Sequence, residues 1–288
     1  MGSWVVSFIS EWKDRFTPYK SWIGELKNPQ VLKADAMAGL TVALILIPQS
    51  MAYAQLAGLP AYIGLYASFL PVMIAALFGS SRQLGTGPVA VVSLMSAAAM
   101  QPYAGLGVET IVAYSALLAL MIGIFQLSLG LLKLGILVDF LSHPVVLGFT
   151  NAGALIIATS QVPKLFGLKI KADQYEHHYE FLIATVKALP DTSLITLVFG
   201  AFALSTLLIL RKFAPRLPGV LITVVVTTVL SWVIDYKGLG GSIIGEIPKG
   251  LPSFTLPNVS LDFKTLSSLI MTAMVIGLIG FVEAISIA

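Results

Sequence analysis

Three groups of residues in this sequence can do chemistry, and none contains a basic side chain. The first is Gly85-Thr86-Gly87-Pro88, which lies between Arg82 and Gln101. Closely spaced glycines disfavour helix, and Pro88 suits the first position of a new helix because it has no N–H to satisfy. The helix from Pro88 to Met100 then has 13 residues, about 20 Å at 1.5 Å per residue. That is too short for a full crossing, so it must begin at depth, with its first N–H groups and positive dipole end aimed into the protein. Non-helical backbone at that depth is tolerated only where it is buried or lines a cavity. A helix N-terminus facing a cavity is an anion site that needs no charged side chain. The bland alternative is a Gly-Pro kink in an ordinary crossing helix.

The second group is Ile47-Pro48-Gln49-Ser50-Met51-Ala52-Tyr53. Pro48 removes a backbone bond mid-helix, and Gln49 and Tyr53, four apart, share a face. They can donate neutral hydrogen bonds to an oxyanion, or glue helices together as polar residues in bilayers do. The third is Glu283, a lone carboxylate deep in the last apolar run, about 28 Å of helix beyond Lys264 at 1.5 Å per residue. An acid inside a membrane marks Na+ or H+ coupling, or pairs with a basic residue elsewhere. Weaker signals are the stretch Asp173 to Glu180, which has no rigid metal-ligand spacing and reads as a solvated outer loop, and His143-Pro144 at the start of an apolar run. Asn258-Val259-Ser260 is a glycosylation sequon.

The elements that position these residues are membrane spans. Of the 288 residues, 57% are hydrophobic and only 11% charged, where a soluble domain carries about a quarter charged. From Ala34 to Lys133 the formal charges are Asp35, Arg82, Glu109 and Lys133. Lipid must therefore be the solvent for most of the chain. Eight apolar runs can cross or enter a bilayer, at about 34–57, 62–79, 83–100, 109–133, 138–162, 192–213, 218–235 and 265–288. Residues 1–33 mix Trp4, Trp12 and Trp22 with basic residues, as an interfacial segment does. Five Lys/Arg precede Ala34, and Arg82, Lys133, Arg211, Lys212 and Arg216 fall at the same ends of the helices, favouring a cytosolic N-terminus. The absence of cysteine excludes disulfides and thiolate metal sites, and the small net charge of +3 gives no nucleic-acid stripe. No cofactor is indicated.

The last run suggests a repeat. Sliding Gly39–Ala54 by 234 positions lays Gln49 on Glu283 and matches Leu44 with Leu278 and Ala54 with Ala288. Seven runs plus the start of an eighth is what two inverted seven-helix repeats give if cut early. The chain accordingly reads as a truncated product ending inside an apolar run.

The segments AMAGLTVALILIPQSMAYAQLAGLP (from Ala36) and AYIGLYASFLPVMIAALFGSSRQLGTGPVAVVSLM closely resemble the first three helices of the SulP sulfate-permease family, solute carrier family 26. The terminal GFVEAISIA resembles the start of that family's eighth helix. The resemblance implies an all-α polytopic membrane protein of two inverted seven-helix repeats, with a short extended segment and half-helix at helix three. It divides this chain into an N-terminal segment (1–33), a first transmembrane repeat (34–235; core helices one to four, gate helices five to seven), an outer loop (236–264) and helix eight (265–288). It implies anion binding between facing half-helix ends and an elevator-like movement of core against gate. By motif, Gln49 and Tyr53 would line the site, Gly87, Pro88, Val89 and Ala90 would form the half-helix end, and Glu283 would join from helix eight. It also implies a homodimer in the plasma membrane. Helices nine to fourteen and the STAS domain of the family have no counterpart here, so the 288-residue product is not expected to transport by itself.

The leading expectation is a secondary transporter or exchanger of sulfate, bicarbonate, chloride or a dicarboxylate, by symport or antiport. An anion channel would use the same site, and a nucleobase or borate carrier would share the architecture. An intramembrane enzyme finds no support, because the chain offers no Asp pair, no Ser–His–Lys constellation at plausible depth and no HExxH helix.

Overall fold

The computed structural model describes residues 17–82, 84–132, 134, 143–170, 175, 177–215, 217–245, 247–251, 259 and 262–287. Asn258 and Ser260 of the sequon, Lys133, Arg216, Asp173, Gln174, Glu176 and the interfacial residues before Thr17 lie outside them. Every regular element among the described residues is helical. Ten α-helices follow in chain order: α1 (Pro29–Leu56), α2 (Ala61–Ala67), α3 (Leu70–Phe78), α4 (Ala90–Met100), α5 (Val108–Leu131), α6 (His143–Leu165), α7 (His178–Lys187), α8 (Leu194–Phe213), α9 (Gly219–Val233) and α10 (Phe263–Ile287). Five spans are long and apolar enough to cross a membrane: α1, α2 with α3, α5, α8 and α10.

Three local features differ from the sequence expectation. The first helix starts at Pro29, not Ala34, because the Asn28 side chain accepts the Gln30 amide at 3.0 Å and Pro29 starts the helix without needing a donor. The second apolar run is two helices, broken at Ser68–Phe69. Pro71 has no N–H to offer the Ala67 carbonyl, and its ring crowds that carbonyl. Finally, the expected outer loop around Glu180 is partly helical: α7 starts at His178, and the His177 amide donates to the Glu180 carboxylate.

Small residues set the helix spacing. Gly64 of α2 sits so close to α1 that a Cβ would overlap the Ser50 carbonyl oxygen. Ser50 is fully buried there, and its hydroxyl accepts a hydrogen bond from Ser68 at 3.3 Å. Gly277 of α10 admits the Phe125 ring of α5, which would lie 2.7 Å from an added Cβ. Helices α5 and α10 thus pack along each other, and both touch α4. A buried cluster of Met100, Tyr114, Leu118, Leu269, Ala273 and Ile276 joins all three. Tyr103 stacks on Tyr114 at 4.3 Å, fixing the turn that follows α4. Elsewhere α8 pairs with α9, and α6 touches α4, α7 and α8. Gly167, at φ +69°, ends α6 so tightly against Ser193 and Thr196 that no side chain fits.

Asp262 precedes α10 and accepts the Thr265 amide at 3.4 Å. Its side-chain bond to Thr265 holds the Asp262 carboxyl below the usual carboxylate range.

Two outcomes follow from this packing. Gly64→Ala should lower stability by about 1–3 kcal/mol, because the added methyl meets backbone that cannot move aside. Gly123→Ala, with open space around it, should be neutral or slightly stabilising; thermal unfolding in detergent checks both, and equal shifts for the two would contradict the account. The depressed Asp262 pKa contributes stability above its unfolded value that is lost as pH falls through the folded one. Acid unfolding of Asp262→Asn, which keeps a capping side chain but cannot titrate, should therefore lack that component of the acid transition.

Candidate functional site

Between Gly79 and Val89 the described backbone is not helical; Gly79 and Val89 themselves are extended, Val89 at φ −128°, ψ 147°. α4 then begins at Ala90, two residues later than Pro88, and Val89 is its N-cap. Its 11 residues span about 16 Å at 1.5 Å per residue, half a bilayer core. The first helical bond runs from the Ser93 amide to the Val89 carbonyl at 3.0 Å, and the Ser93 hydroxyl donates to the same oxygen at 2.8 Å. No side chain caps this end. The amides of Ala90, Val91 and Val92 precede the first bond, so the positive end of the helix is carried by backbone alone.

That end borders a cavity of about 850 Å³. Gly85, Thr86, Gly87, Pro88 and Val89 form one wall, with Ser93 and Ser96 further along α4. Tyr53 enters from α1, Ser115 and Gln126 from α5, and Glu283 from α10. Among the described lining residues Glu283 is the single carboxylate, and none is basic. The cavity therefore presents backbone dipoles and neutral donors together with one carboxylate.

The site residues that the family resemblance implies fall into two groups. Tyr53, Gly87, Pro88, Val89 and Glu283 all line the cavity. Gln49 and Ala90 do not: Ala90 is the first residue of α4, and Gln49 is exposed on α1. The Gln49 amide nonetheless donates to the Tyr53 hydroxyl at 2.8 Å, so it reaches the cavity through Tyr53. That bond occupies an acceptor position on the phenol and leaves its proton free to point into the cavity. Among the described residues no group of three or more His, Cys, Asp or Glu is placed to hold a metal ion.

Two contributors were missed from sequence. Ser115 Oγ is buried in the described structure without a hydrogen-bond partner, a position that a polar ligand or water satisfies. Gln126 donates to the Gly277 carbonyl of α10 at 3.0 Å. The available signal for Gln126 was its position, a solitary amide in the apolar run 109–133. Arg82, by contrast, stands outside: it makes two hydrogen bonds to Glu25, at 2.9 and 3.3 Å, tying the N-terminal segment to the start of the extended stretch. Both partners are half exposed, so the pair adds at most about 1 kcal/mol.

A family model described as the sulfate permease family matches residues 32–288. The chain belongs to that family. It is 37% identical over 289 residues to "Sulfate transporter 4.1, chloroplastic" of Arabidopsis thaliana, covering 97% of this chain and 41% of that protein. Among solved structures it is similar to murine solute carrier 26 family member A9, an anion transporter in the inward-facing state, with 27% identity and a TM-score of 0.84 over 97% of this chain and 48% of that one. It is also similar to the transmembrane domain of the cyanobacterium bicarbonate transporter BicA, with 26% identity and a TM-score of 0.71 over 88% and 64%. The sulfate-permease chain described here is thus an integral membrane protein with the all-helical fold of solute carrier family 26. It spans less than half the length of the curated relatives it matches.

The Gln49–Tyr53 bond gives a double-mutant prediction. If Gln49 acts on a bound anion only through Tyr53, Gln49→Ala and Tyr53→Phe should each weaken sulfate binding, and the double variant should be no worse than Tyr53→Phe. The coupling is expected at about 0.5–1.5 kcal/mol. Sulfate titration of the full-length protein by calorimetry measures it; additive losses would mean that Gln49 contacts the anion directly.

Proposed function

We propose that this chain carries one wall of the substrate site of a secondary active anion transporter or exchanger, with sulfate the foremost substrate and bicarbonate, chloride and dicarboxylates the other members of the class. The observation that carries the reading is the uncapped N-terminus of α4 opening onto a cavity whose described lining has no basic residue. Such an end attracts an oxyanion through backbone N–H groups and the helix dipole. Tyr53, Thr86 and Ser115 supply neutral hydroxyls around it. Binding by dipoles without a fixed cation keeps affinity moderate, as release on the far side requires. The similar proteins support the substrate class, since they include a sulfate, an anion and a bicarbonate transporter.

Glu283 makes coupling part of this reading. Like charges about 4 Å apart at an effective dielectric of about 20 repel by roughly 4 kcal/mol. A carboxylate sharing a cavity with a divalent anion thus favours uptake of a neutralising H+ or Na+ together with the anion. The movement is an elevator step: α1, α2 with α3, α4 and α5 travel as a core against a gate of α6, α8 and α9. In this reading α5 and α10 clasp α4, α8 pairs with α9, and the core meets the gate where α6 touches α4 and α9 touches α1. The full-length protein would work as a homodimer in the plasma membrane with its N-terminus cytosolic, the side that five Lys/Arg before Ala34 favour.

The test is radiolabelled sulfate uptake by the full-length protein in proteoliposomes, with bicarbonate, chloride and dicarboxylates as competitors and with imposed H+ or Na+ gradients. Uptake accelerated by one of the gradients is expected, and Glu283→Gln should keep sulfate binding while losing the gradient's effect. Failure of every anion to move or compete would sink the transporter reading. A gradient effect that persists in Glu283→Gln would remove Glu283 from coupling.

A further inference from the structure

We infer that Gln126 is a positioning residue for the transport site, holding α10 in the rotation that turns Glu283 into the cavity. The inference rests on the proposed transport site and adds a residue to it.

The argument begins with what the Gln126 side chain touches. It leaves α5 half-buried and donates its amide N–H to the Gly277 carbonyl at 3.0 Å. A backbone carbonyl only accepts, so the nitrogen of the amide must face α10. Two glycines make the approach possible. At Gly277 an added Cβ would meet Phe125, and at Gly280 it would stand 3.2 Å from the Gln126 nitrogen. Gly280 and Glu283 both line the cavity, as does Gln126 itself. The bond therefore fixes α10 six residues before the carboxylate, with Gly280 midway between them at i+3 spacing from each.

A bond here has more effect than one in water. Without it, the Gln126 amide would be left unpartnered beside an apolar seam between two membrane helices. Apolar packing of α5 on α10 fixes their distance but constrains rotation of α10 about its own axis weakly. A single directional bond to one carbonyl does constrain that rotation. Rotation of α10 by one residue's step of about 100° would carry Glu283 off the cavity wall.

Two substitutions in the full-length protein test this in sulfate-loaded proteoliposomes. Gln126→Leu keeps size and loses the donor; it should raise the half-saturating concentration of the coupling cation by at least about five-fold, with sulfate binding near normal, as in Glu283→Gln. Gln126→Glu is nearly isosteric and can donate to Gly277 only when protonated. Its uptake relative to the unmutated protein at each pH should be near normal in acid and fall as pH rises through the new carboxyl's pKa. Its thermal stability in detergent should fall over the same range, which carries the test even if no anion moves. Unchanged kinetics in Gln126→Leu, or a Gln126→Glu variant whose relative uptake and stability are flat with pH, overturns the inference. Sulfate uptake by the unmutated protein with unaffected variants would discard Gln126 alone, whereas no uptake by any form would discard the transport reading instead.

Discussion

A helix that starts inside a bilayer has amides that nothing in its own turns can satisfy, and the hydrocarbon offers them no partner. This constraint organises the molecule. α4 has no capping side chain, so its first turn must face either protein or a polar cavity. Everything around it serves that need. Helices α5 and α10 bury its flank through Met100, Leu118 and Ile276, and α1 brings Tyr53 to its mouth. The non-helical stretch between Gly79 and Val89 delivers the chain to the cavity wall where α4 begins.

Close packing supports this arrangement mechanically. Gly64 against Ser50 and Gly277 against Phe125 let two pairs of helices, α1 with α2 and α5 with α10, approach nearer than side chains would allow. In lipid, where apolar side chains gain little by leaving the solvent, van der Waals fit and interhelical hydrogen bonds hold helices together. The Ser50–Ser68 and Gln126–Gly277 bonds are of that kind. Each spans two helices, and each sits beside a glycine that brings the backbones within reach.

Much of this was legible in the sequence, and the reasons are physical. Apolar runs, their polar breaks and the short interval between Gly85 and Gln101 give the spans and the broken one, since the bilayer imposes length. The tight spacing of Gln49 and Tyr53 placed them on one face, and the structure adds that Gln49 holds Tyr53. The start of α4 was misplaced by two residues because Pro88 can open a helix but can equally end an extended segment. The break at Pro71 was hidden inside a continuous apolar run. Ser115 and Gln126 could not be read as wall residues, because which face of a membrane helix meets a cavity is settled by neighbours far off in sequence.

One consequence of the uncapped helix end concerns how such proteins diversify. Contacts made by backbone amides are shared by every amino acid but proline, so point mutation cannot easily tune them. Selection for a new substrate must act on the surrounding walls, at positions such as Thr86, Ser96 and Ser115. In the proposed site a preference for negative charge would thereby be kept while size and shape discrimination change at the walls, so a different anion could be served without rebuilding the helix end.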